Sequence, residues 1–336
     1  MTLALAVAAT FLASLSLPLI LRPILARLGV VDVPNHRSSH LEPTVRGFGL
    51  APFIALLIGY SVLLSSNGVN PDERLLLILF AVPAAAGVLG LIEDTRGLPV
   101  YVRVITQVVV GTIGAAMVLN LTGAAWWFLP LGAIAIAAYT NVANFMDGIN
   151  GISGMHGAVV GGIYALVGMF LNIPWLVTCG LLLAAAFVAF VPWNLLSRDG
   201  MFLGDVGSYL LGAAISTIAL AALASGIPIV VVVGPLVVYI ADVVSTLLRR
   251  ISQGDRWAQA HRTHVYQRLT SSGWSHLQAT SAVTGATVLT GGLGLLSLNS
   301  ALIVPSVAAM GAIAATYLLL PASLTRLAKH RSSERT

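Results

Sequence analysis

One cysteine among 336 residues, Cys179, leaves no second thiol for an intramolecular disulfide and no Cys-based metal site. Charge is nearly as scarce, at 9% Asp, Glu, Lys and Arg against about 25% in an ordinary soluble domain, while 57% of the residues are hydrophobic. The mean hydropathy is +0.93. A soluble globular domain is excluded, and the composition reads as a polytopic membrane protein. No basic run precedes the first apolar segment, so a cleaved signal peptide is not indicated. Neither an internal repeat nor a linker divides the chain, and residues 1–336 read as a single integral-membrane domain.

A spanning helix needs about 20 apolar residues. Eleven runs qualify, near residues 3–24, 48–66, 74–92, 101–120, 126–143, 155–171, 174–192, 206–225, 227–248, 277–298 and 301–321. The fold class expected is all-α with about 11 transmembrane helices. Threading them puts sixteen of the seventeen Lys and Arg residues on one side, with Arg74 alone opposite. By the positive-inside rule that side is cytoplasmic, which places the N-terminus outside and the C-terminus in the cytoplasm. The pI near 9.7 then reports orientation and attraction to anionic membrane lipid, not nucleic-acid binding. Gly157 and Gly161 form a Gly-x-x-x-Gly pair that suits close helix packing.

Acidic residues follow the basic ones to the same side, although carboxylates contribute little to topology, so their clustering points to chemistry. The inner connections, residues 31–47, 93–99, 144–154, 193–205 and 249–276, are longer than the outer ones and hold the unusual patterns. Asn141-Val-Ala-Asn144-Phe-Met-Asp147-Gly148-Ile-Asn150-Gly151 gathers carboxamides, a carboxylate and glycines where the fifth span ends. Carboxamides donate and accept, as reading a base or sugar requires, while a simple helix cap explains the same residues. Gly204-Asp205-Val-Gly207-Ser208 opens the eighth span, where Asp205 suits either a metal or an N-cap. Glu93-Asp94 are adjacent acids whose repulsion a cation would relieve, or solvated loop acids. His261-Arg262-Thr-His264-Val-Tyr266-Gln-Arg268 suits diphosphate recognition through guanidinium forks and imidazoles. Asn194, after Pro192-Trp193, and Arg46, in the basic first inner loop, complete the polar set. Asp242 lies within the ninth span, where a carboxylate costs about 2.5–3.5 kcal/mol, so it calls for a partner, a helix-to-helix hydrogen bond being one reading.

Five of these motifs together, Pro34-Asn35-x-Arg37-Ser-Ser-His40, Gly90-Leu-Ile-Glu93-Asp94, Asn141 to Gly148, Gly204 to Ser208 and His261 to Arg268, resemble the polyprenyl-phosphate N-acetylhexosamine-1-phosphate transferases of glycosyltransferase family 4. The resemblance covers nearly the whole chain. It implies attack of undecaprenyl phosphate on a UDP-linked N-acetylated sugar with Mg²⁺, or Mn²⁺ in its place, at a cytoplasm-facing site in the bacterial inner membrane. It further implies Asp205, Glu93 and Asp94 as metal ligands, these three with Asp147 and His264 as catalytic candidates, and Asn144, Asn150, Asn194, Arg46, His261 and Arg262 as substrate-binding candidates.

Two departures stand out, Glu93 where the family has a first Asp, and Asn150 where it has a second Asp after Asp-Gly. The absence of a triple-His run resembles the O-antigen, capsule or exopolysaccharide branch. A homodimer is compatible with the sequence. The rival reading is a transporter with a charged cytoplasmic gate. It calls for broken helices and midplane polar residues, of which Asp242 is the main instance. A CDP-alcohol phosphotransferase would need Ala-Arg shortly after Asp-Gly, where this chain has Gly151-Ile152.

Overall fold

In the bilayer core no water meets an unpaired backbone group, so apolar runs of this length close their hydrogen bonds within helices. The computed structural model describes residues 2–32, 44–65, 71–196, 201–255 and 262–333. Helices run in the order α1 (Thr2–Arg27), α2 (Leu50–Leu64), α3 (Pro71–Arg96), α4 (Val100–Thr122), α5 (Leu129–Met146), α6 (Ile152–Leu171) and α7 (Pro174–Leu196). They continue with α8 (Gly204–Ala224), α9 (Ile229–Val233), α10 (Val237–Ser252), α11 (Val265–Ser271), α12 (His276–Leu296) and α13 (Ile303–Ser333). A short antiparallel pair, β1 (Val31–Asp32) with β2 (Thr44–Val45), sets Val31 opposite Val45.

Among the described residues ten segments are long and apolar enough to cross a membrane, with α9 and α10 joined into one by a 3₁₀ turn at Gly234–Leu236. The second expected span is shorter: α2 has 15 helical residues, about 22 Å at 1.5 Å per residue. The all-α, multi-pass architecture agrees with the expectation.

Helix α8 is the axis of the bundle. Its apolar window is 89% buried, against 17% for α13, which leaves α13 one face on the protein and the rest open to lipid. Small residues bring its neighbours close. A Cβ on Gly90 of α3 would run into the Asp205 carbonyl of α8, and one on Gly161 of α6 would sit 2.6 Å from the Gly180 carbonyl of α7. The Gly157–Gly161 pair therefore serves packing.

The described parts of the inner connections meet at one end of the bundle. Helix α11 lies there without crossing, with Val265, Tyr266 and Leu269 buried against Met146 and Ile149 at the end of α5 and Val243 of α10. Burial of Val265 and Leu269 is worth about 1.5–3 kcal/mol each, enough to pin a seven-residue helix that would not persist alone.

Candidate active site

Helix α8 begins at this end with its first amide hydrogens unsatisfied by its own turns, and the chain supplies acceptors from outside. Asp94, 4% exposed at the end of α3, takes the Val206 N–H on Oδ2 at 3.0 Å. Arg46 clasps the same residue, donating from Nη2 to the Asp94 carbonyl at 2.9 Å with its Nε 3.6 Å from Oδ1. The preceding segment is laced to the start of α8, because Phe48 and Gly49 donate their N–H groups to the Phe202 and Leu203 carbonyls at 3.1 and 2.7 Å. Asp94 thus joins three segments around the helix that carries Asp205.

Glu93 turns the other way. Its Oε1 pairs with Arg103 of α4 at 3.0 Å, and its Oε2 accepts from the Leu98 N–H at 2.5 Å. Successive residues on a helix diverge by about 100° (3.6 residues per turn), which is why adjacent acids serve different neighbours. Glu93, expected beside Asp94 and Asp205 as a metal ligand, pairs with Arg103 of α4 while its charge still acts on Asp205.

Asp205 faces α5. The Asn144 amide donates to Asp205 Oδ1 at 2.7 Å and to the Ser208 hydroxyl oxygen at 3.0 Å. One turn deeper, Asn141 donates to Gln107 Oε1 at 2.5 Å and to the Ala137 carbonyl at 2.8 Å. Asn141 and Asn144, three apart, form a polar stripe that runs from the inner end toward the membrane interior between α4, α5 and α8.

Asp147, just past α5, completes the acidic set. Packing around its carboxyl pushes its pKa up to about 8 although the residue keeps some exposed surface, and the nearby Asp205 and Asp94 charges push the same way. The Ser153 hydroxyl opposes the shift. Asp94 and Asp205 also repel each other directly.

Among the described residues no group of three or more His, Cys, Asp or Glu side chains is positioned to hold a metal ion. Mg²⁺ does not need one, because it keeps several waters and takes one or two carboxylates plus substrate phosphate oxygens. Asp205 and Asp94 fit that pattern. Their repulsion is what a divalent ion relieves, and Asp94 Oδ1 is buried without a hydrogen-bond donor.

The remaining expected residues divide. Asn194 is not available to substrate: it is buried, its Oδ1 accepts the Gly151 N–H, and its Nδ2 donates to the Met201 carbonyl at 2.8 Å. A carboxamide was needed there to tie the 147–151 turn to the segment before α8. Asn150 is anchored through its backbone, with its carbonyl accepting from Thr280 at 2.9 Å and its N–H directed at His276 Nδ1 at 3.4 Å. Arg46 serves Asp94. His261, with Arg37 and His40 of the first loop, lies outside the described residues, and Arg262 is exposed.

His264 is 4% exposed and precedes α11, where its backbone N–H donates to Gln267 Oε1 at 3.2 Å. Its Nδ1 lies 3.0 Å from Asp242 Oδ1, and Tyr317 of α13 donates to Asp242 Oδ2 at 2.7 Å. Asp242 therefore has the expected helix-to-helix bond, plus a link to the histidine loop that spacing did not reveal. Sequence reasoning also passed over Arg103 and Gln107. Their signal was two polar residues four apart in an apolar helix.

Residues 76–223 match the model of glycosyl transferase family 4, a stretch that carries Glu93, Asp94, Asn144, Asp147 and Asp205 together. The chain is similar to this family across that stretch. It is similar to a Bacillus subtilis protein named "Probable undecaprenyl-phosphate N-acetylglucosaminyl 1-phosphate transferase", 27% identical over 291 residues that cover 79% of this chain and 78% of the relative. A Mycobacterium tuberculosis decaprenyl-phosphate N-acetylglucosaminephosphotransferase is 28% identical over 304 residues, 76% of this chain and 72% of that one. An Escherichia coli undecaprenyl-phosphate alpha-N-acetylglucosaminyl 1-phosphate transferase is 26% identical over 304 residues, 82% and 78% respectively. The Asp242–His264 pair lies beyond the family-model match.

Proposed function

We propose that this protein belongs with that family and transfers an N-acetylated sugar-1-phosphate from a UDP-sugar to undecaprenyl phosphate, releasing UMP, at the cytoplasmic face of a bacterial inner membrane. The observation that carries the reading is that Asn144 of α5 holds Asp205 while Asp94 of α3 accepts the adjacent Val206 N–H, which brings two acids to the start of α8. The names of the relatives support the general reaction and make UDP-N-acetylglucosamine the first donor to test.

A lipid phosphate oxygen attacks the β-phosphorus, the bond from that phosphorus to the α–β bridging oxygen breaks, and UMP leaves with the electron pair. A phosphate monoester is largely doubly ionised near neutral pH, its second pKa being about 6, so positioning matters more than a dedicated base. Asp205 and Asp94 would hold Mg²⁺, which would supply charge neutralisation for the diphosphate. Asn144 orients Asp205, and Arg46 with the Val206 N–H orients Asp94. We assign Asn144, Asp147 and Asn150 to the nucleotide, and His264 with Arg262 to the diphosphate or sugar. We assign the product to the initiation of an O-antigen, capsule or related envelope glycan.

The test is UMP release by purified protein supplied with undecaprenyl phosphate and a panel of UDP-sugars, with Mg²⁺ or with EDTA. UMP that needs both lipid and metal is the expected result. Silence across the panel, with substrate flux in proteoliposomes instead, would favour the transporter reading.

A further inference from the structure

A carboxylate with no exposed surface inside a membrane helix has to be matched by donors, and Asp242 is matched on both oxygens. Tyr317 O–H reaches Oδ2 at 2.7 Å; Val265 N–H and Thr246 Oγ1 reach Oδ1 at 3.0 and 3.3 Å, and His264 Nδ1 lies 3.0 Å from the same Oδ1. Helix packing alone would be served by the Tyr317 bond. The two contacts from residues 264 and 265 instead fasten the first turn of α11 to α10.

The consequence for His264 is chemical. A carboxylate only accepts hydrogen bonds, so the ring nitrogen facing it is a donor and carries its hydrogen. Position is fixed as well. Phe145 and Tyr266 stack against the imidazole with ring centroids 6.3 and 5.8 Å away, and Tyr266 O–H donates to the Phe145 carbonyl at 2.9 Å, two residues before Asp147. Removal of a methylene's worth of space is not available either, because a Cβ on Gly148 would collide with the Tyr266 hydroxyl. The imidazole is thus held relative to the 144–151 turn from one side and to the membrane helices from the other.

We propose that Asp242 is a positioning residue that holds His264 in the Nδ1–H form and in register with the Asn144–Asp147 turn. Its kinetic consequence rests on the transfer reaction proposed above; the proton placement does not. Three elements meet at this carboxylate: α10, which carries it, α11 through His264 and Val265, and α13 through Tyr317.

The experiment uses the full-length protein in detergent, labelled with ¹⁵N-histidine, with the His264 signals assigned by their loss in His264→Gln. Wild type is expected to show a protonated Nδ1 at His264, and Asp242→Asn, which leaves only a neutral acceptor, is expected to shift the ¹⁵N signals toward the Nε2–H form. In parallel, Asp242→Asn should lower kcat about 10- to 100-fold while KM for the UDP-sugar stays within about threefold, as loss of an orienting partner does. Thr246→Val removes another bond to the same oxygen without touching the imidazole and should leave kcat within about twofold. A wild-type His264 protonated on Nε2 with Nδ1 bare would overturn the proposal even if Asp242→Asn fails to fold. So would a folded Asp242→Asn protein with unchanged ¹⁵N signals. Because the spectra can be read in a protein that releases no UMP, failure of the transfer reaction and failure of the Asp242–His264 pairing are told apart.

Discussion

The Asn144 amide of α5 donates to Asp205 Oδ1 of α8 across 2.7 Å, and the same amide nitrogen reaches Ser208 Oγ at 3.0 Å one turn along α8. One carboxamide therefore fixes the rotamer of the acid assigned to the metal. Asn144→Ala leaves the fold, since α5 and α8 stay joined by close packing at Gly212, but frees the Asp205 side chain. A loss of about 10- to 100-fold in kcat at unchanged melting temperature is expected, measured by UMP release.

Asp94→Asn keeps an acceptor for the Val206 N–H while removing the charge. Most turnover should vanish with little change in detergent-phase melting. Near-normal turnover would mean that Asp94 only anchors α8 and that the metal is held by other groups.

Asp147 makes stability depend on pH. Its carboxyl has a folded-state pKa of about 8, above the ordinary 3.8, so the unfolded chain gives up this proton first and ionisation favours unfolding. The stability associated with the neutral form is complete below the ordinary carboxylate range and is lost as pH rises through about 8. In EDTA, wild type should melt at progressively lower temperature from pH 5 to 8, and Asp147→Asn should flatten that slope. An equal slope in both proteins would place the pH dependence at another group.

Gly90→Ala tests the seat of α8. The added methyl would meet the Asp205 carbonyl, so α3 and α8 have to separate at the point where both acids are held. Overpacking of this kind costs about 1–3 kcal/mol. A lowered melting temperature and lost UMP release are expected together, and a fully active, equally stable variant would contradict the contact.

Much of this was legible in the amino-acid sequence because bilayer physics is one-dimensional: an apolar run of spanning length announces a helix wherever it packs. Even so, α2 came out shorter than its apolar run, since Phe48 and Gly49 are drawn into backbone bonds with Phe202 and Leu203. Motif residues that meet at chain ends, such as Asn144 and Asp205, were also legible. Pairings across helices were not. Nothing in the adjacency of Glu93 and Asp94 says that one turns to Arg103 and the other to Val206, and nothing in the spacing of Asp242 and His264 says that a buried acid meets an imidazole. The two backbone bonds of Asn194 were hidden for a related reason. A carboxamide that satisfies two backbone groups inside the protein has the same composition as one facing a sugar.

The most direct measurement is the mass of the lipid product formed by purified protein, Mg²⁺, undecaprenyl phosphate and UDP-N-acetylglucosamine or a related UDP-N-acetylated sugar, with the released nucleotide identified in the same reaction. Undecaprenyl diphosphate-sugar with equimolar UMP, absent from Asp205→Asn, is the result the account requires. A monophosphate-linked sugar with UDP, or product formation undiminished in Asp205→Asn, would contradict it.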